Sequence, residues 1–406
     1  MPALLEGIRV IEFASRGGGP IGGVVLGDFG ADVIKIEHPV GGDPVRGTNR
    51  WRSGGIRAVP PGGHSVAFEL SNRNKRGITL DLNKEKAREI AYKLIEKADA
   101  FLSNYQPYRL KRFGMDYETL SKLNPKLVFA AATSYGKEGP DRDKRSIDPM
   151  ALARSGMLGT AAADEEGTPP VTINGTIADV TGGTFLGIAV MLGLLGRERH
   201  GVGQEINSAL FGPMIWAQYS NLTLYYLDGH LQEMKSSKAE TNPTSCNYKC
   251  KDGRWLLLRA TDWQDFCRVL ENESMEKDPR FEDVTKRQEN NLALIKILED
   301  TFISKTRAEW LELFKAKDAK FMFERINTLP ELHEDPQVIA NKYIIEHDHP
   351  GLGRVKQVQF PVDFTKMPVD GTRRPAPQLG EHNEEVLLEL GYNLEEIAEF
   401  KKQEII

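Results

Sequence analysis

The sequence predicts an α/β protein: a parallel sheet with helices on both faces, and a smaller α+β unit set into the middle of the chain. Three observations predict it. Short β-rich runs alternate with helical patterns over the first third. A glycine-rich turn, Gly17-Gly18-Gly19, follows the first of those runs. Composition shifts near residue 228 and returns near 330.

Taken in order, Ile8–Phe13 is the first strand, followed by the glycines and a helical pattern through Val24–Phe29. Asp32–Ile36 and Ile78–Leu82 are the next strands, and a helix runs from about Lys84 to Lys97. Ala100–Ser103 and Leu127–Ala131 read as further strands. Residues 39–77, rich in Gly, Pro and Arg, are too long for an idle connection and suit a binding loop. Asp179 to Arg199 predicts one long buried helix, with Asp179 capping its start and Gly201 stopping it. A second helix is expected over about 207–227 and a polar linker over 228–245. In the smaller unit, Asn247–Cys250 and Trp255–Arg259 flank a hairpin turn centred on Asp252-Gly253. Helices near 288–303 and 307–316 follow, and a helical pair from about 382 to 402 ends the chain.

The 406 residues carry a net charge of −5, which argues against nucleic acid as a main partner. The three cysteines cannot build a disulfide framework, so a cytoplasmic location is expected. Leu4–Ala14 carries Glu6, Arg9 and Glu12, unlike a signal peptide, and the apolar run Phe185–Gly196 is too short to span a bilayer. No His/Cys pattern indicates a metal site, and Cys246, Cys250 and Cys267 read as small core residues.

Gly17, Gly19 and Gly22 satisfy G-x-G-x-x-G, and Glu37 lies where a ribose-binding acid would stand. Pro20 weakens a nicotinamide dinucleotide reading, since it removes a backbone N–H at the helix start. A tight turn for another ligand and a purely structural turn remain alternatives. Arg46, Arg52, Arg73, Lys75, Arg76, Arg109, Lys111, Arg112 and Arg145 read singly as solvated surface and together as candidates for holding a phosphorylated ligand. Asp179 is either an N-cap or a nucleophile; an Asp is already ionised at neutral pH and needs no base.

The order of several short motifs resembles the family III CoA-transferases, which include acyl-CoA racemases. They are Leu5-Glu6-Gly7-Ile8-Arg9-Val10-Ile11-Glu12-Phe13, Gly19-Pro20 and the run Leu26 to Glu37. Gly42-Asp43-Pro44-Val45-Arg46, the run Asn74 to Leu82, Asn104-Tyr105-Gln106-Pro107 and Arg112-Phe113-Gly114 follow. Gln378-Leu379-Gly380-Glu381-His382 and Leu390-Gly391-Tyr392 close the series.

The resemblance implies a Rossmann-like large domain built from both chain ends, over 1–227 and 329–406, with a small α+β domain over 228–328. It implies two such chains interlocked as a homodimer; a heterodimer with a related chain is an alternative. It implies CoA transfer between an acyl-CoA, with succinyl-CoA a candidate donor, and a carboxylic acid, with no permanently bound cofactor and no membrane partner. Asp179 would be the nucleophile, passing through an acyl-aspartyl anhydride and an aspartyl-CoA thioester. CoA contacts carry over to Gly17 and Gly18, and to His38 where relatives often have Arg. They carry over also to Leu80, Asp81, Leu82 and Asn83, where Asn83 replaces a common Lys. Asn104, Tyr105, Gln106 and Arg112 form the next contact loop, and Arg145, Ser146, Ile147 and Asp148 the last. Ile147 stands where racemases carry a His, which disfavours a two-base proton transfer. Asn242-Pro243-Thr244-Ser245-Cys246 stands where some transferases close glycines over the active Asp. Trp51, Arg52 and Arg57, with Trp216, Tyr219, Tyr225 and Tyr226, are candidates for the acyl pocket, though helix packing at a dimer interface is the preferred reading of the aromatics. A CoA-binding subunit without catalysis is the rival outside the enzymes.

Overall fold

The computed structural model describes residues 3–46, 65–160, 176–229, 242–367, 369 and 371–406. Trp51, Arg52, Arg57 and most of the expected linker lie outside them. The chain divides into two compact units. The first takes in Met1–Leu158, Thr172–His230 and Lys342–Ile406; the second takes in Gly159–Val171 and Leu231–Asn341.

The first unit is built on β1 (Arg9–Phe13), α1 (Gly18–Asp28), β2 (Asp32–Glu37), α2 (Val66–Asn72), β3 (Lys75–Thr79), α3 (Glu85–Glu96) and β4 (Ala100–Ser103). It continues with α4 (Pro107–Phe113), α5 (Tyr117–Leu123), β5 (Val128–Thr133), α6 (Asp148–Arg154), α7 (Met157–Thr160) and α8 (Ile177–His200). Then come β6 (Gln204–Ala209), α9 (Phe211–Trp216) and α10 (Tyr219–Asp228).

The six strands form one sheet in the order β3-β2-β1-β4-β5-β6, and every neighbouring pair is parallel. Ile11 pairs with Ile34 on one side and Phe101 on the other. Alternate residues therefore feed two cores. Ile11, Ile34, Phe101 and Phe129 face one core, which is closed by Ile90 and Leu94 of α3 and by residues near the C-terminus such as Val386 and Phe400. Val10, Val33, Leu102 and Val128 face the other, under Leu26 of α1 and Leu186 and Val190 of α8.

Two elements correct the sequence reading. The third strand begins at Lys75, not Ile78, because two charged residues inside it are satisfied. Lys75 pairs with Glu12 at 2.7 Å, and Arg76 bridges Asp32, Glu385 and Glu389. The expected helix over 207–227 is instead the sixth strand followed by two short helices. Gln204–Ala209 is a polar strand at the sheet edge, with no hydropathy signal to reveal it.

In the second unit, β7 (Asn247–Lys249), β8 (Trp255–Arg259) and β9 (Met322–Ile326) form an antiparallel sheet. Helices α11 (Trp263–Leu270), α12 (Glu273–Glu276), α13 (Val284–Glu289), α14 (Asn291–Phe302), α15 (Arg307–Ala316) and α16 (Pro336–Ala340) complete it. Its core holds Trp310, Phe266 and Phe302 with all three cysteines. Burial pushes the Cys250 thiol up to about 11 and Cys267 to about 12, so neither is a ready nucleophile. Back in the first unit, β10 (Ile344–His349) and β11 (Gly353–Val358) form a hairpin, and α17 (Asn383–Glu389) and α18 (Leu394–Lys402) end the chain.

Candidate active site

The strand order reverses between β1 and β4, and in such sheets ligands bind beyond the strand C-termini at that point. A solvent-open cleft with about 500 Å³ of empty space lies there. Its walls come from the ends of the first four strands and the segments that follow them, with helix α4: Phe13, Ala14 and Ser15; Ile36, Glu37 and His38; Leu80, Leu82 and Asn83; and Tyr105 with Arg109 and Phe113 of α4. Gly42 and Asp43 complete the lining. The Tyr105 ring stands 4.6 Å from Phe13, and the Arg109 guanidinium lies 4.3 Å from the Tyr105 ring centre. Two tilted aromatic rings, 57° apart, with a guanidinium over one of them offer apolar surface and positive charge to a heterocycle joined to phosphate.

His38, Leu80, Leu82, Asn83 and Tyr105 thus line one cleft. Asp81 sits behind it: its carboxylate accepts from the Asn83 side chain at 2.8 Å and faces His38 Nε2 at 3.5 Å. Burial alone would raise the Asp81 carboxyl; the Asn83 N–H groups and the His38 and Lys84 charges hold it below its usual value. Arg112, exposed, donates to Asn83 Oδ1 at 3.3 Å. Arg109 and Phe113 are cleft residues outside the set carried over by resemblance, although Arg109 is visible in the basic run.

Next to the cleft lies the glycine turn. Asn104 grips Ser15 from both sides, accepting from its N–H at 3.0 Å and donating to its carbonyl at 2.8 Å. Only Arg16 separates Ser15 from Gly17, and there Asp179 comes in. A Cβ on Gly17 would stand 2.3 Å from Asp179 Oδ2. The Gly18 N–H donates to Asp179 Oδ1 at 3.2 Å. The contact exists because α1 and α8 pack backbone to backbone: a Cβ on Gly183 would be 2.4 Å from the Gly18 carbonyl oxygen, and one on Gly22 3.1 Å from that of Gly183. Close packing of two helix starts thus brings together residues 161 positions apart.

Asp179 is not the cap of α8. Thr176 holds that position and Asp179 lies in the first helical turn, partly buried, where the helix dipole favours its charge. Its own N–H donates to Asp148 Oδ2 at 3.0 Å, so Asp148, buried at the start of α6, serves the helix end. Nor is α8 buried all round: Leu192 is 62 % exposed. Length and composition would let α8 cross a membrane; here its glycine-rich side packs on α1.

The remaining expected contacts scatter. Gln106 is buried and donates towards Ser134 Oγ and the Lys144 carbonyl. Arg145 is exposed and bonds Tyr108; Ser146 bonds the Ile147 carbonyl, and Ile147 is 57 % exposed. The segment Asn242–Cys246 is tied to the small sheet, with Tyr248 donating to the Pro243 carbonyl and Thr244 to that of Ala260.

The dinucleotide motif and part of the basic run are spent internally. Glu37 accepts two bonds from Arg46, at 2.7 and 2.6 Å, and one from the Asp43 N–H. A Cβ on Gly19 would meet Asn104 at 2.7 Å, leaving that glycine to internal packing. Arg46, Arg73, Lys75 and Arg76 all sit in ion pairs with Glu37, Asp28, Glu12 and Asp32. Arg109, Arg112 and Arg145 remain disposed towards solvent or the cleft.

A doubly wound sheet with a cleft at its switch point and a carboxylate held against a glycine turn defines a ligand-binding α/β protein. The sequence model of CoA-transferase family III matches residues 5–383, and the chain belongs to that family. It is 31 % identical to (R)-2-hydroxy-4-methylpentanoate CoA-transferase of Clostridioides difficile, over 99 % of both chains. It is 30 % identical to succinyl-CoA:glutarate CoA-transferase of Mus musculus, over 95 % of this chain and 86 % of the other. A crystal structure of a CAIB/BAIF family protein from Brucella suis superposes with a TM-score of 0.83 at 29 % identity, covering 96 % of this chain and 100 % of that one. The protein is a CoA-transferase, acting on CoA thioesters.

Proposed function

We propose that the enzyme moves CoA from an acyl-CoA donor to a carboxylic acid by way of Asp179. The carboxylate attacks the thioester carbonyl, expelling CoA thiolate and forming an acyl-aspartyl anhydride. The thiolate attacks the aspartyl carbonyl, releases the donor acid and leaves an aspartyl-CoA thioester. The acceptor acid repeats the sequence in reverse, and the aspartate is restored. The observation that carries this reading is the contact of Asp179 with Gly17 and Gly18, beside the cleft. A backbone N–H at the carboxylate and a helix start behind it favour negative charge on the oxygens that exchange. Succinyl-CoA is a candidate donor. Mass spectrometry of CoA products after incubation with succinyl-CoA or acetyl-CoA and a panel of acids tests the reading; no exchange with any pair would count against it.

The cleft is assigned to CoA, with the adenine ring beside Tyr105 and the phosphates towards Arg109 and Arg112. Calorimetry should show micromolar or tighter CoA binding and none for NAD. Arg112→Ala should raise KM for both CoA esters about fivefold with kcat changed less than about twofold, as expected for uniform binding. A fall in kcat alone would move Arg112 into the chemistry.

A homodimer is the assembly we assign. On the chain by itself α10 buries no residue, and Trp216, Tyr226 and Leu227 are 62 %, 77 % and 80 % exposed. So much clustered apolar surface suits a protein interface. Light scattering should report about twice 45.4 kDa. An active monomer would refute it.

A further inference from the structure

The segment Gly42-Asp43-Pro44-Val45-Arg46 lines the cleft through Gly42 and Asp43 but takes no part in the bond-making steps above, and its aspartate also reaches the glycine turn. Asp43 accepts the Arg16 N–H with both oxygens, at 3.1 and 3.0 Å. Arg16 has φ +69°, a left-handed conformation that is uncommon for a non-glycine residue. Asp43 in turn faces Lys35 at 3.2 Å, Lys35 pairs with Glu12 at 3.1 Å, and Lys75 pairs with Glu12 at 2.7 Å. The side chains of Lys35, Glu12 and Lys75 are wholly buried and that of Asp43 is 1 % exposed. Four charges in a core are costly, and replacing them with apolar residues would often cost nothing in stability. Stability is therefore a weak reason for their presence.

Their hydrogen bonds point to another. Lys35 donates to the Ala14 carbonyl at 2.8 Å, and Lys75 donates to the Pro20 carbonyl at 2.8 Å. The turn is thus gripped at its beginning, at Arg16 and at its end, while Asn104 fixes Ser15 from the other strand. We propose that Glu12, Lys35, Asp43 and Lys75 form a buried ionic platform that sets the position of the Ala14–Pro20 turn and, through it, of the Asp179 carboxylate. They are positioning residues, and the inference rests on the reading of Asp179 as the nucleophile. An ionic network suits this task because a satisfied buried polar network rigidifies the backbone it bonds.

The platform can lose Asp43 without collapse. Lys35 keeps Glu12 and the Ala14 carbonyl, and Lys75 keeps Glu12 and the Pro20 carbonyl. Burial pulls Lys75 down to about 8 against the attraction of Glu12 and Asp43, with the Lys35 charge helping to lower it. Its other neighbours, the Ser71 carbonyl and Asn72 Oδ1, are neutral acceptors.

The test is hydrogen exchange on the full-length Asp43→Ala protein, read beside its steady-state kinetics. Amides of Arg16 to Gly18 should exchange at least about tenfold faster, with the rest of the sheet unchanged. On the same protein kcat should fall at least about tenfold and KM for acyl-CoA should change less than about threefold. Asp43→Asn, nearly isosteric, guards against a folding failure. It keeps an oxygen for the Arg16 N–H but loses the pull of Lys35, and should fall between wild type and alanine on both readouts. Unchanged exchange at the turn, or faster exchange spread evenly over the unit, overturns the proposal. So does local loosening with unchanged kcat, which would disconnect the turn from Asp179. Exchange involves no chemistry, so an active Asp179→Asn enzyme would refute the nucleophile separately.

Discussion

Asp179→Asn should leave a folded protein that binds CoA and has lost transfer activity by roughly 10⁴-fold or more. Direct attack by the acceptor acid on the thioester needs both substrates in the site at once. An enzyme carboxylate divides that demand into steps and keeps the acyl group activated between them. The amide of Asn is close in size but is a far poorer nucleophile. The structure makes this substitution a clean one. Thr176, not Asp179, is the cap of α8, and Asn keeps an oxygen to accept the Gly18 N–H, so removing the charge costs the dipole interaction, about 0.3–1 kcal/mol, together with the charge-assisted part of that bond. The Asp179 N–H keeps its bond to Asp148 whatever the side chain. A structural role therefore predicts near-normal turnover, and a nucleophile predicts almost none. Hydroxylamine added with acyl-CoA should modify Asp179 in the wild type and not in the variant. Full activity in Asp179→Asn would refute the mechanism.

What a sequence reveals depends on whether its signal is local. The strands β4 and β5 are nearly apolar runs, and β1 and β2 carry enough Val, Ile and Phe among their charges to read as β-rich, so local pattern places all four within a residue or two. The third strand hides because Lys75 and Arg76 look like surface residues; they are paid for by Glu12 and Asp32, on other strands. The sixth hides because an edge strand needs little apolar surface. The same holds at the site. Asp179 stands out by position, and Tyr105, Leu80 and Asn83 by resemblance. The grip of Asp43 on Arg16 joins residues 27 apart and leaves no mark on either one's neighbourhood in sequence. The glycines mislead in an instructive way. Their spacing fits a phosphate turn, but a Cβ on Gly22 would crowd the Gly183 carbonyl, a partner that lies far along the chain.

Those contacts give the second large effect. Gly17→Ala should cost about 10²-fold in kcat while leaving stability within about 1 kcal/mol of wild type. The new Cβ would stand 2.3 Å from Asp179 Oδ2 and 2.5 Å from its Cγ, so one of the two must move. The carboxylate is the end of a side chain and can rotate, whereas the turn is held through Ser15 and Arg16. The cost therefore falls on the position of the nucleophile, and a displacement of about 1 Å is enough for a loss of this size. Gly183→Ala is the contrast. Its Cβ would meet the Gly18 backbone oxygen at 2.4 Å and Ile21 Cβ at 2.7 Å, and neither can rotate away. Helices α1 and α8 must part, at about 1–3 kcal/mol, so that variant should show a lowered melting temperature as well as lost activity. Thermal melts and kcat measured on both variants separate the cases. If Gly17→Ala turns over normally, the Asp179 carboxylate has freedom the packing denies it, and the chemistry belongs to another group.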